Sequence, residues 1–188
     1  MIDWPTIQNA LFDWVSCEFE THFGMVVGVS WAGQKRPRNT YPHATLQWLT
    51  GDARNGQIDT LVQTYDPAAD AGEEITLSRV GERTRTLTIQ VFGRPDCFAE
   101  AIDALGELAS SMDHDEVRDP LRAACCAIFL RGDVINLGPD LRSDAFVPRA
   151  SLDVGVRATS VSTRTAGYID TINLSGADPA IDTTLEVP

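Results

Sequence analysis

The 188-residue sequence predicts an α+β fold: a mostly antiparallel or mixed sheet with helices packed on it, in a single compact domain. Three observations predict it. Apolar residues recur at helical spacing near the N-terminus and again between Phe98 and Met112. Strict alternation marks residues 83–92 and 149–160 as strands with one buried face. The helices and strands also come in blocks (helix, strands, two helices, strands) rather than in the regular alternation of a parallel α/β sheet.

Asp3 is placed to cap a first helix, with Pro5 in the first turn, where a missing N–H does no harm. Ile7, Leu11, Trp14 and Val15 share one face, so this helix is expected over about residues 5–19. After Gly24, residues 25–31 are rich in β-formers and read as a strand. Residues 32–42 hold Gly33, Pro37 and Pro42 and read as a loop. From 43 to 50 the pattern alternates, with Ala44, Leu46 and Trp48 on one side and Thr45, Gln47 and Leu49 on the other. Asn55-Gly56 is a strong hairpin signal and is expected to reverse the chain into a strand at 57–65. Residues 66–72 break that strand. Ile75, Leu77 and Arg79 mark a short one, and Gly81-Glu82 is expected to turn into 83–92. There Leu87, Ile89 and Val91 share a face, opposite Thr84, Thr86, Thr88 and Gln90.

Asp96 is expected to cap the next helix. Its apolar stripe is Phe98, Ile102, Leu105, Ala109 and Met112, and Asp113-His114-Asp115 closes it. A shorter helix within 117–125 is expected to be limited by Pro120 to the part beyond Asp119. Residues 127–130 read as a strand, and Gly132 and residues 137–139 as loops. Leu152, Val154, Val156 and Ala158 share the buried face of the strand at 149–160. A last strand is expected at 165–174, carrying Tyr168, Ile169 and Ile172. After Gly176 the chain has three acids, no base and two prolines. Residues 1–176 are therefore expected to form the domain and 177–188 a flexible acidic tail.

Little of this pattern carries chemistry. The net charge of −12 argues against a nucleic-acid-binding surface, which needs clustered bases to displace counterions. It does suit a wall that DNA slides past without adhering, although solubility alone accounts for it. Lys35 is the only lysine among fifteen bases. Lys35, Arg36 and Arg38 form the one dense basic cluster, flanked by Trp31 and Tyr41; Trp, Tyr and Arg are common anchors of protein–protein contacts. Cys17, Cys97, Cys125 and Cys126 show no metal-binding or redox spacing and read as reduced, partly buried thiols. Cys97 falls near a helix start, but no histidine signature accompanies it. Asp113-His114-Asp115 lacks further metal ligands at helical or loop spacing, and Asp66, Asp70, Glu73 and Glu74 are spaced wrongly for a calcium loop. No catalytic residue, cofactor or metal is expected. The N-terminal segment does not have the charge and apolar pattern of a secretion signal, and no apolar run is long enough to span a bilayer, so residence in the cytosol of the host is expected.

Taken in order, a set of short patterns resembles the tail terminator (neck terminator) proteins of long-tailed bacteriophages, over roughly residues 7–176. They are the N-terminal amphipathic helix, Val29-Ser30-Trp31-Ala32-Gly33-Gln34, the proline-bearing loop ending at Tyr41-Pro42, and Ala44-Thr45-Leu46-Gln47. Then come the run from Arg85 to Gly93, Ala101-Ile102-Asp103-Ala104-Leu105, Asp133-Val134-Ile135-Asn136-Leu137 and Arg149-Ala150-Ser151-Leu152-Asp153-Val154. The resemblance implies a structural virion protein, not an enzyme, that closes into a ring of six. The ring caps the head-proximal end of the tail tube, ends tail polymerisation and docks the head-completion (stopper) protein of the neck, and DNA passes through its centre as unspecific cargo. It implies no membrane, and assembly in the host bacterial cytoplasm. A ring needs a different patch on each side of the subunit. The residues assigned to such contacts are Trp31, Arg36, Arg38 and Tyr41 in the first long loop, and Phe146 and Arg149 near the late strand. The alternatives are another neck or tube component, a head-completion or tail-tube protein, or a small cytosolic enzyme or ligand-binding module.

Overall fold

The computed structural model describes residues 2–34, 41–70, 73–95, 97, 99–142, 145–166, 171–174 and 183–186. Among these residues it is an α+β fold with three helices and a mixed sheet. By internal contacts the chain groups into two compact units. The first comprises residues 1–57 and 81–160, the second 58–80 and 161–188.

In the first unit, helix α1 spans Trp4–Phe23. Asp3 caps it as expected: its carboxylate accepts from the Thr6 N–H at 3.2 Å and from the Thr6 hydroxyl at 2.6 Å. The helix runs a turn beyond the expected Phe19 because Phe23 continues the buried stripe of Ile7, Leu11, Val15 and Phe19. It stops at Gly24, whose φ of 63° is the left-handed conformation that favours glycine at a helix end.

Strand β1 (Gly28–Trp31) pairs in parallel with β2 (His43–Trp48). β2 pairs antiparallel with the C-terminal part of β4 (Ile75–Phe92), in a register that sets Ala44, Leu46 and Trp48 beside Val91, Ile89 and Leu87. These six side chains share one face. β9 (Arg149–Ala166) follows in the strand order, then the edge strand β5 (Cys126–Leu130), antiparallel to it. The short β6 (Ile135–Asn136) also pairs with β9, opposite Ser151 and Ala150.

The three helices cover this face. Ala150, Leu152, Val154, Val156 and Ala158 of β9 join the β2 and β4 residues in one core with α1, α2 (Glu100–Ser111) and α3 (Asp115–Ala123). Each fully buried Leu, Ile or Phe here contributes roughly 1.5–3 kcal/mol of burial. Trp14 is held by side-chain chemistry as well, its indole N–H donating to the buried Ser111 hydroxyl at 3.0 Å.

Two turns expected from sequence are not turns. Asn55-Gly56 lies inside β3 (Ala53–Tyr65), and Gly81-Glu82 lies inside the unbroken β4. β3 pairs along β4, so continuous ladder hydrogen bonds outweigh the local turn preference of these dipeptides. The reversal between the two strands falls at residues 66–74, where the Asp66 N–H donates to the Glu74 carbonyl at 2.8 Å. That breaking segment was expected.

Helix α2 is confirmed, but its buried face is Ala101, Ala104, Leu105, Leu108, Ser111 and Met112. Ile102 and Ala109, on the expected stripe, sit at its flank, half-buried. Ala101 and Ala104 are both almost wholly buried on that face. Asp96 and Phe98 lie outside the described residues. Helix α3 begins at Asp115 and contains Pro120 rather than starting after it. Burial of Val117 and Leu121 on either side of the proline offsets the lost hydrogen bond.

A small hairpin, β7 (Asp140–Arg142) with β8 (Ala145–Val147), had no sequence signal strong enough to predict it. In the second unit, β9 continues to Ala166, so Thr165 belongs to it and not to a later strand. β10 (Thr171–Leu174) pairs antiparallel with β11 (Thr183–Glu186). These last four residues were expected in the flexible tail; β-branched Thr183 and Thr184 with Leu185 provide strand formers that the acidic composition obscured. Tyr168 and Ile169 lie outside the described residues.

Candidate subunit-contact surfaces

The sheet ends on two outer strands of different character. Among the described residues, β1 pairs only with β2, and β5 only with β9. The Ala32 N–H donates to Leu46 at 2.8 Å, so the alternate residues Trp31 and Val29 turn their backbone groups away from β2. On that outer side Gln34 satisfies Trp31 twice. Its side-chain carbonyl accepts from the Trp31 N–H at 3.1 Å, and its own N–H donates to the Trp31 carbonyl at 3.1 Å. Among the described residues of β1, this leaves the outward backbone groups of Val29 for an added strand. At the other end, Leu130 of β5 and Ile135 of β6 are half exposed.

The residues expected to make contacts fall into two groups. Trp31 is half-buried and stacks on Trp48 at 5.6 Å, while Trp4 meets Trp48 edge-on at 5.6 Å. The Arg85 guanidinium lies 3.7 Å over the Trp4 ring and pairs with Asp52. Trp31 is therefore half-buried and tied into a stack of rings. Tyr41 heads a second column, with its ring 5.2 Å from His43, which stacks on the buried Phe92 at 4.5 Å. Arg36 and Arg38 lie outside the described residues.

Phe146 is 54% exposed on β8. Arg149 is half-buried at the start of β9 and its carbonyl accepts from Leu137 at 3.0 Å. Trp31 and Tyr41 belong to the β1–β2 end of the sheet, and Arg149 to β9, beyond β4 in the strand order. The expected residues thus occupy two places, not one patch.

Sequence reasoning missed a third surface. Helices α1 and α3 enclose a groove of about 560 Å³. Ala10, Trp14, Val117 and Leu121 line it, and so do the acids Asp13, Glu18 and Glu116, with no Lys or Arg among the lining residues. Burial pushes the Glu18 carboxyl up from its ordinary value; His114 opposes this, and Glu116 and Glu107 add to it. The spacing of Asp13, Trp14 and Glu18 on one helix was legible, but their meeting with Glu116 needs the packing of two helices.

On the opposite face of the sheet, the Phe129 ring lies over Gly155, filling the space a side chain would need. The guanidinium of Arg157 is 5.4 Å and that of Arg131 5.8 Å from this ring, and Arg157 pairs with Glu82 at 3.6 Å. Thr88 on the same face donates to Asp153 at 2.6 Å.

Cys17, Cys97 and Cys125 are exposed rather than partly buried, and Cys126 is buried. Burial first, then the neighbouring Cys125, pushes the Cys126 thiol up to about 11, away from a reactive thiolate. His114 precedes α3 as its N-cap instead of closing α2, and Asp113 pairs with Arg118 at 2.7 Å. Among the described residues no group of three or more His, Cys, Asp or Glu is arranged to hold a metal ion. No helix is long and apolar enough to cross a membrane.

No curated protein matches the chain. The family described as phage neck terminator protein matches residues 6–182, nearly the whole length. That span takes in the core of helices and sheet, both outer strands and the groove between α1 and α3. The chain therefore belongs to the phage neck terminator family and is a structural component of the neck of a phage virion.

Proposed function

We propose that copies of this protein close into a ring of six that caps the head-proximal end of the tail tube. The ring ends tube polymerisation and offers a docking surface to the head-completion protein, and DNA leaves the capsid through its centre. The observation that supports this reading beyond the family is the asymmetry of the subunit. One end of the strand order carries β1 and the basic, aromatic loop after it, and the other carries β5, β6 and α3. Two unlike ends favour head-to-tail contacts, and such contacts close into a ring when the rotation between copies is a simple fraction of a turn. The overall charge of −12 suits a channel that does not hold DNA. The protein acts here by shape, with no catalytic step, and is assembled in the host bacterial cytoplasm. We assign residues 1–176 to the ring body. Trp31, Arg36, Arg38, Tyr41, Phe146 and Arg149 are assigned to its contacts, with Trp31 acting through its stack on Trp48.

Two measurements test this. The mass of the particle in solution, with negative-stain images, is expected to give a closed ring. Added to polymerising tail-tube protein, the protein is expected to halt growth at substoichiometric amounts. Tubes that lengthen by incorporating it would make it a tube subunit, and a protein that stays single at high concentration and never binds a tube end would defeat the reading.

A further inference from the structure

We propose that the groove between α1 and α3 receives the basic loop of a second copy, with Lys35, Arg36 and Arg38 meeting Asp13, Glu18 and Glu116. The inference rests on the ring reading and gives that ring its seam.

Charge complementarity selects the occupant. The groove has an apolar floor of Ala10, Trp14, Val117 and Leu121 and three acids along it. Such a site favours a segment that brings bases beside an apolar or aromatic body. The chain has 15 bases against 27 acids, and the stretch 35–38 is where three of the bases concentrate, next to Tyr41 and Pro37. DNA is disfavoured because the acids repel phosphate.

Topology places donor and receiver where a head-to-tail contact needs them. The basic loop follows β1, at one end of the strand order. α3 ends at Ala123 and leads straight into β5, at the other end. Each subunit therefore carries the segment that follows β1 at one end and α3, one wall of the groove, beside the strand at the other, while the second wall, α1, also packs on β1. The backbone edge of β1 is a poor alternative seam, since Gln34 already occupies both outward groups of Trp31. Burial of the Glu18 carboxyl also disfavours its charged form until a cation arrives, so an incoming guanidinium relieves a cost already present in the subunit.

A charge swap tests the contact. One variant carries Glu18→Arg and Glu116→Arg; the other carries Arg36→Glu and Arg38→Glu. Each alone is expected to raise the midpoint concentration of ring assembly at least about tenfold, the equivalent of about 1.4 kcal/mol. Mixed one to one, they are expected to restore rings, because an even-numbered ring of alternating variants pairs every groove with an opposite charge. Restoration also shows that both variants are folded. If reversal prevents folding, the milder Glu116→Gln and Arg38→Gln decide: a raised midpoint with either supports the contact, and an unchanged one overturns it. A wild-type ring that survives both reversals, or folded variants whose mixture stays dissociated, overturns the contact and leaves the ring intact. A wild-type protein that never forms a ring overturns the ring reading, and this contact with it.

Discussion

Within the single strand β4, Leu87, Ile89 and Val91 are fully buried, whereas none of residues 75–80 is. The contrast extends to the two compact units. The first holds every buried side chain among the described residues. In the second, Leu61, Val62, Tyr65 and Val161 are all 44–54% exposed. Both units use strands with β-branched and apolar residues, so strand propensity does not separate them. What separates them is a layer of helices: the alternation of β4 and β9 is rewarded only where α1, α2 and α3 lie against it. In the second unit the strands are held by their backbone ladders and half-buried side chains, which contribute much less than a core.

The largest expected break in this contrast comes from matched truncations. Leu105→Ala, in the core, is expected to destabilise the protein by about 2–5 kcal/mol. Leu61→Ala, half exposed in the second unit, is expected to change it by no more than about 0.5 kcal/mol. Denaturant unfolding of both reads the difference, and equal costs would show that the second unit is buried in solution. Next, Gly155→Ala drives a methyl group into the Phe129 ring and is expected to cost about 1–3 kcal/mol, with part of the loss recovered when Phe129→Ala is added.

Hydrogen exchange sharpens the comparison along one strand. Amides of residues 87–91 are expected to exchange only on global unfolding, and those of 75–80 by local opening orders of magnitude faster. Uniform protection along β4 would remove the distinction between the units. The smallest expected effect is at the end of α1. The hydroxyl of Thr6 first, and its N–H second, hold the Asp3 carboxyl below the ordinary aspartate range. The cap's contribution is therefore present above the unfolded-state pKa and is lost as pH falls through the lower folded-state value. Asp3→Asn is expected to flatten that part of the acid limb of a stability-against-pH curve and leave neutral pH nearly unchanged.

Helix α1 with its Asp3 cap, though not its end at Gly24, and the buried faces of β2, β4 and β9 were legible because capping and periodicity act within a few residues. The expected stripe of α2 was offset because Ala101 and Ala104 read as weakly apolar in sequence yet are buried with Leu105 and Leu108. Asn55-Gly56 and Gly81 misled because a turn preference of this kind is weaker than a ladder supplied by a partner strand far along the chain. Of the residues assigned to contacts from the sequence, Phe146 is exposed on β8, whereas Trp31 is tied to Trp48 in the fold.

By itself the sequence determined the α+β class, the core faces and the kinship to neck terminators, because local pattern and segment order are properties of the chain alone. Only the tertiary structure decided that β4 and β9 each run for 18 residues, that the outward groups of Trp31 are taken by Gln34, and that Asp13, Glu18 and Glu116 meet beside an apolar groove. Each of these depends on which distant segments lie side by side, and that is fixed by burial summed over the whole core rather than by any one stretch of residues.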